Sequence, residues 1–135
     1  VQPYTGGQPY TIGVPVGPGK YDDVSGLARW SYTGAWTAWA GSGPYLGTNH
    51  YSTTIGDAAQ VNITGGQQIK LTYARGTNRG VTDVYIDGVK VASINAYYNG
   101  TLGWQRTWSS EVLTTGVHTV RLVHVSGAIT DIHAI

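Results

Sequence analysis

Val81-Thr82-Asp83-Val84-Tyr85-Ile86-Asp87-Gly88-Val89-Lys90-Val91-Ala92-Ser93-Ile94 is the stretch from which the fold is read. Two β-branched runs flank Asp87-Gly88, a dipeptide suited to a type I′ hairpin turn because both central positions need positive φ. With the turn placed there, Ile86 faces Val89 and Val84 faces Val91. These four residues are expected to form one apolar face pointing into the core of a central hairpin, with Tyr85 and Lys90 on the other side. A two-stranded ribbon is marginal in water, so further strands must cover that face.

Working outward, short strands recur at residues 59–63, 69–73, 104–108, 117–125 and 129–135. Turn chemistry separates them, as at Thr64-Gly65-Gly66-Gln67 and Gly76-Thr77-Asn78-Arg79-Gly80. Upstream, the aromatic run over residues 30–40 and the Gly-rich loop at 41–47 read as short strands joined by tight turns. No segment carries a helical period. The expected fold is all-β, an antiparallel β-sandwich of jelly-roll type.

The first nineteen residues differ. They hold Pro3, Pro9, Pro15 and Pro18, five glycines and no charge. A flexible lead would have that composition. Yet Tyr10, Ile12, Val14 and Val16 alternate with Thr11, Gly13, Pro15 and Gly17, and a period of two is what a half-buried strand requires. Pro15 confines such a strand to an edge or an insertion. We therefore divide the chain into an N-terminal extension at residues 1–19, with a candidate donor strand at 9–17, and a sandwich domain at residues 20–135.

At 135 residues the chain suffices for one core without staples. Charged residues make up only 11% and the net charge is +1, with the basic residues scattered. That argues against nucleic acid as a partner, and no apolar run is long enough for membrane insertion. Cysteine is absent. Two glycosylation acceptor sequons occur, at Asn62 and Asn99. A start at Val1 rather than Met reads as a processed product, and the expected setting is extracellular, at the cell surface.

Several segments together resemble the galactose-binding-domain-like β-sandwiches that include many carbohydrate-binding modules of secreted bacterial surface proteins. They are Tyr32-Thr33-Gly34-Ala35-Trp36, Gly43-Pro44-Tyr45, Asn49-His50-Tyr51-Ser52, the stretch from Tyr73 to Gly80, Val84-Tyr85-Ile86-Asp87-Gly88 and Gly116-Val117-His118-Thr119-Val120. The resemblance covers residues 20–135. It implies the sandwich fold, and leaves the ligand open, since one fold hosts many functions.

Catalysis would require paired carboxylates or a nucleophile with its base. The acidic set is sparse, and His50, His118, His124 and His133 lack metal-ligand spacing, so the expectation is a non-catalytic protein without a cofactor. Asp22 and Asp23, with Asp131, are the carboxylates that would ligate a structural calcium. A turn or capping role is the stronger expectation for the Asp-Asp pair.

Two functions fit these residues. In the first, the chain is a subunit of a surface filament whose partners are other copies of itself. The strand carrying Tyr10, Ile12, Val14 and Val16 would insert into a neighbouring sandwich, since added strands gain main-chain hydrogen bonds while alternate side chains fill a groove. Nineteen extended residues reach about 60 Å, beyond the chain's own domain. In the second, exposed aromatic rings stack on glycans while polar side chains fix the hydroxyls. Tyr97, Tyr98 and Asn99 lead that set, with Trp36, Trp39, Tyr45 and Arg79 as further candidates. Of the two functions, the filament subunit is the slightly stronger expectation.

Overall fold

The computed structural model describes residues 30–44, 48–64, 68–132 and 135. Ten strands follow in chain order: β1 Ser31–Thr33, β2 Trp36–Ala40, β3 Thr48–Ser52, β4 Ala58–Thr64, β5 Lys70–Arg75, β6 Val81–Ile86, β7 Val89–Asn95, β8 Gly103–Ser109, β9 Val117–His124 and β10 Thr130–Ile132. They form a five-stranded sheet in the order β1-β4-β9-β6-β7, a three-stranded sheet β10-β3-β2 and a ribbon β5-β8. All strand pairs are antiparallel. The chain is an all-β sandwich, and among the described residues no helix is long and apolar enough to cross a membrane.

Alternation drives the layering. Along β4, Ala59, Val61 and Ile63 are buried while Gln60 and Asn62 are half-buried; along β9, Val120 and Leu122 point inward and Thr119 and Arg121 outward. The inward sets of the five-stranded sheet meet Leu71 from β5, Ile132 from β10, and Trp30 and Tyr32 in one core. Full burial of an aliphatic or aromatic side chain stabilises by roughly 1.5–3 kcal/mol before ordering costs, so this cluster dominates stability.

The Asp87-Gly88 turn forms as expected, with φ of 53° and 82° at its two residues, and it sets Ile86 opposite Val89 and Tyr85 opposite Lys90. Two of the four residues assigned to the core are nevertheless outside it. Val84 and Ile86 are buried, but Val89 and Val91 are 64% and 49% exposed. The register shifts between Val84 and Tyr85, so that Val84 pairs with Ala92 and Val91 is left over. One extra residue on a strand reverses the side on which it projects. Ile94, opposite Thr82, is buried instead. The hairpin is also not central as a unit: β6 lies inside the sheet, whereas β7 is its edge. Among the described strands none lies beyond β7 to cover Val89.

The turn is tied to β9 by an ion pair. Asp87 Oδ1 accepts the Thr119 amide at 2.9 Å, and Oδ2 lies 2.5 Å from His118 Nδ1. His118 Nε2 faces the Thr114 carbonyl oxygen at 2.7 Å. Both ring nitrogens face an acceptor oxygen, an arrangement that favours the protonated ring, in which both donate. The hydrogen bond to the Thr114 carbonyl, then that to Asp87, raises the His118 pKa above its ordinary value of 6.5. The Thr119 amide, then His118, lowers that of Asp87 below 3.8.

Candidate functional site

On β5, Leu71 lies in the core, Tyr73 is half-buried and Arg75 reaches the rim, so one face of the strand runs from interior to surface. β8 lies antiparallel to it, with Tyr73 opposite Arg106. A second register shift then brings Arg75 opposite Gly103. The connection from β7 to β8 returns across the end of β5. It is pinned there by backbone bonds from Gly76 N to Ala96 O (3.0 Å) and from Tyr98 N to Gly76 O (3.1 Å), and its own start is shaped by the Tyr97 amide, which donates to Asn95 Oδ1 at 3.0 Å.

This arrangement creates an open cleft of about 420 Å³ lined by Tyr73, Arg75, Asn95, Tyr97, Gln105, Arg106 and Thr107. Beside it the Tyr98 ring carries the Arg75 guanidinium on its face, 3.9 Å from the ring centre, a cation–π contact. Gly100 permits this fold of the loop, because a Cβ there would come within 2.5 Å of the Tyr98 ring. Burial raises the Tyr73 pKa above 10.0, with the positive charges of Arg106 and Arg75 acting against it. The hydroxyl thus stays protonated and can donate.

Gln105 has φ of 52°, one of two non-glycine residues in the left-handed region among those described. Such backbone is costly for a residue with a Cβ and persists where surrounding contacts impose it. Here the Gln105 Nε2 donates to the Gly43 carbonyl at 3.0 Å. The neighbouring Trp104 stacks on Trp39 with ring centres 5.7 Å apart and planes 7° from parallel. Gly43, at φ 121°, lies so close to the Trp104 indole that a Cβ would sit 2.4 Å from it. The cleft residue Gln105 thus follows directly on a stacked tryptophan pair, of which Trp39 is 39% exposed.

Of the residues singled out from sequence, Tyr97 (53% exposed) lines the cleft, Tyr98 (39%) lies under Arg75 beside it, and Asn99 is exposed in the same loop. Trp36 does not join them. Its Nε1 donates to the Thr33 carbonyl at 3.0 Å, and its ring lies against Tyr32, 5.3 Å between centres. Tyr45 lies outside the described residues. Arg79 is a correction: it is buried and ion-paired to Asp131 at 3.0 Å, which removes it from any surface site. Asp131 is a correction for the same reason. Its carboxylate accepts from Arg79, Asn49 Nδ2 (3.0 Å) and the Ala74 amide (3.1 Å), leaving it committed to the interior rather than to calcium. Among the described residues no three His, Asp or Glu side chains are grouped to hold a metal, and Asp22 and Asp23 lie outside them. Of the sequon residues, Asn99 is exposed, whereas the Asn62 carboxamide sits in β4 and accepts from Thr119 Oγ1 at 2.8 Å.

A Ser, His and Asp do meet in the interior. Ser52 Oγ lies 2.9 Å from Asp57 Oδ2 and 3.3 Å from His124 Nδ1. Ser52 and His124 have no exposed surface, and the serine stands between the other two. A nucleophile needs the histidine between itself and the carboxylate and access to substrate. This trio instead joins β3, the start of β4 and the end of β9.

Reading the sequence missed Tyr73, Arg75 and Arg106 as cleft residues. The alternation of Leu71, Tyr73 and Arg75 on one strand face was the available signal, but their partner strand lies some thirty residues away.

No protein-family model matches the chain. It is 32% identical over 95 residues to an A type blood N-acetyl-alpha-D-galactosamine deacetylase from Flavonifractor plautii, a match over 70% of this chain and 12% of that protein. The chain thus spans about an eighth of that relative. Among solved structures it resembles a family 35 carbohydrate-binding module from Clostridium thermocellum, with a TM-score of 0.61 at 11% identity over 85% of this chain and 92% of the module. It also resembles a family 36 module solved in complex with calcium and xylotriose, with a TM-score of 0.57 at 20% identity over 87% and 96% of the two chains. The fold is therefore a β-sandwich like that of these two modules, as the sequence motifs implied.

Proposed function

We propose that the chain is a non-catalytic carbohydrate-binding module that recognises extracellular glycans at the cleft between β5, β8 and the 95–102 loop. The observation that carries this reading is the cleft itself, where exposed Tyr97 and Tyr98 flank the polar side chains of Asn95, Gln105, Arg75 and Arg106. An aromatic ring stacks on the apolar face of a sugar, and carboxamide and guanidinium groups fix its hydroxyls. The binding unit is residues 20–135, with residues 1–19 an extension.

Of the two functions drawn from sequence, the comparisons favour this one over the filament subunit. Two resembling structures are carbohydrate-binding modules over nearly their whole lengths, and the chain matches a small fraction of a carbohydrate-active relative. Tyr10, Ile12, Val14 and Val16 lie outside the described residues. Of the three carboxylates considered for calcium, Asp131 is held by Arg79, Asn49 and the Ala74 amide, and Asp22 and Asp23 lie outside the described residues.

The test is a glycan array probed with the full chain and with a Tyr97→Ala/Tyr98→Ala variant. Binding by the parent and its loss in the variant supports the reading. Equal binding by both would remove the cleft from it.

A further inference from the structure

The sequence holds seven acidic residues, and those in the described structure are all placed away from the cleft. Asp131 is paired with Arg79 and Asp83 with Lys90. Asp87 faces His118, and Asp57 accepts from Ser52 and the Ala35 amide. Glu111 lines a different depression, beside His118. None of these carboxylates lines the cleft that contains Arg75 and Arg106.

The two arginines nevertheless converge. A Cβ built on Gly103 would stand 3.1 Å from Arg75 Cγ and 3.5 Å from Arg106 Cδ, so both stems pass over the same glycine. Among the described residues no carboxylate lines the cleft to balance the two cations, and holding like charges together is unfavourable. Arg75 is further fixed by the Tyr98 face beneath it, and its Nε is buried with no hydrogen-bond partner. Guanidinium groups present parallel N–H donors matched to the two oxygens of a carboxylate or of a sulfate.

Resting on the glycan reading above, we infer that this cleft selects saccharides bearing an anionic substituent, a uronate carboxylate or a sulfate ester, whose charge Arg75 and Arg106 share. Tyr97 supplies the stacking surface, and the arginines read the charge.

Calorimetric titration of the full chain tests this with two matched pairs: tetragalacturonate against its methyl ester, and 6-sulfated against unsulfated di-N-acetyllactosamine. In at least one pair the charged member is expected to bind about tenfold or more tightly than its neutral counterpart, since charged hydrogen bonds are the stronger kind. The pair that shows the preference identifies the substituent. The preference should shrink severalfold in Arg106→Gln and in raised salt, while Arg106 is exposed enough for the fold to survive. Parity of charged and neutral members in both pairs, or a preference untouched by Arg106→Gln, overturns the inference. If neutral saccharides still bind and Tyr97→Ala/Tyr98→Ala abolishes that binding, the glycan reading survives its loss; if no saccharide binds, both fall.

Discussion

Arg79→Met isolates the contribution of the buried ion pair. Arg79 and Asp131 are 6% and 1% exposed at their side chains, with 3.0 Å between Nη2 and Oδ2. Removing the guanidinium leaves in the interior a carboxylate that has lost its cation while Asn49 Nδ2 and the Ala74 amide still face it. Breaking one side of a buried pair costs about 3–5 kcal/mol. Unfolding entropy near 2.1 cal/mol/K per residue gives a chain of this length about 0.28 kcal/mol/K, so Tm should fall by roughly 10–18 °C. Calorimetry at neutral pH measures the drop. A fall below about 4 °C would mean that solvent reaches Asp131 and that the pair does not hold the loop between β5 and β6 to β10.

Gly88→Val tests the hairpin turn; nothing lies within 4 Å of the added Cβ at φ 82°, so the loss is that of the backbone alone, about 1–2 kcal/mol, read as a lower urea midpoint at unchanged slope. The His118–Asp87 latch gives a pH signature. His118, whose pKa is raised, contributes fully below its ordinary 6.5 and loses that contribution as pH rises through its folded value. Asp87, whose pKa is lowered, contributes above 3.8 and loses it as pH falls through its folded value. A plot of Tm against pH should therefore peak between about 4 and 6.5 relative to His118→Gln, and parallel curves would refute the latch. Gly43→Ala should push the Trp104 indole off Trp39, since the new Cβ would stand 2.4 Å from it, and the near-ultraviolet circular dichroism of the stacked pair should change as it does in Trp39→Phe.

Much of this architecture is legible in local chemistry. Asp87-Gly88 can only be satisfied by positive φ, and it brackets β6 and β7 at the residues where they end and begin. β4 and β9 alternate cleanly because one face of each is buried. The inward face of β7 is not legible, because a single bulge opposite Val84 turns Val91 outward and nothing in a run of β-branched residues marks it. The site divides in the same way. Tyr97 and Tyr98 stand out as an aromatic pair in a loop, and they are at the cleft. Arg75 ends β5 and Arg79 lies four positions on, in the loop before β6. Only the packing of β10 against β5 decides that Arg79 turns inward to Asp131 while Arg75 turns outward over Tyr98.

The most direct test of the glycan-binding account is a nuclear magnetic resonance titration of the labelled full chain with an oligosaccharide that scores on the array. The account predicts amide shifts concentrated at residues 73–75, 95–100 and 103–107, with the indole signals of Trp39 and Trp104 following at higher occupancy. Shifts centred instead on the outward face of the five-stranded sheet, around Tyr85 and Arg121, would contradict it.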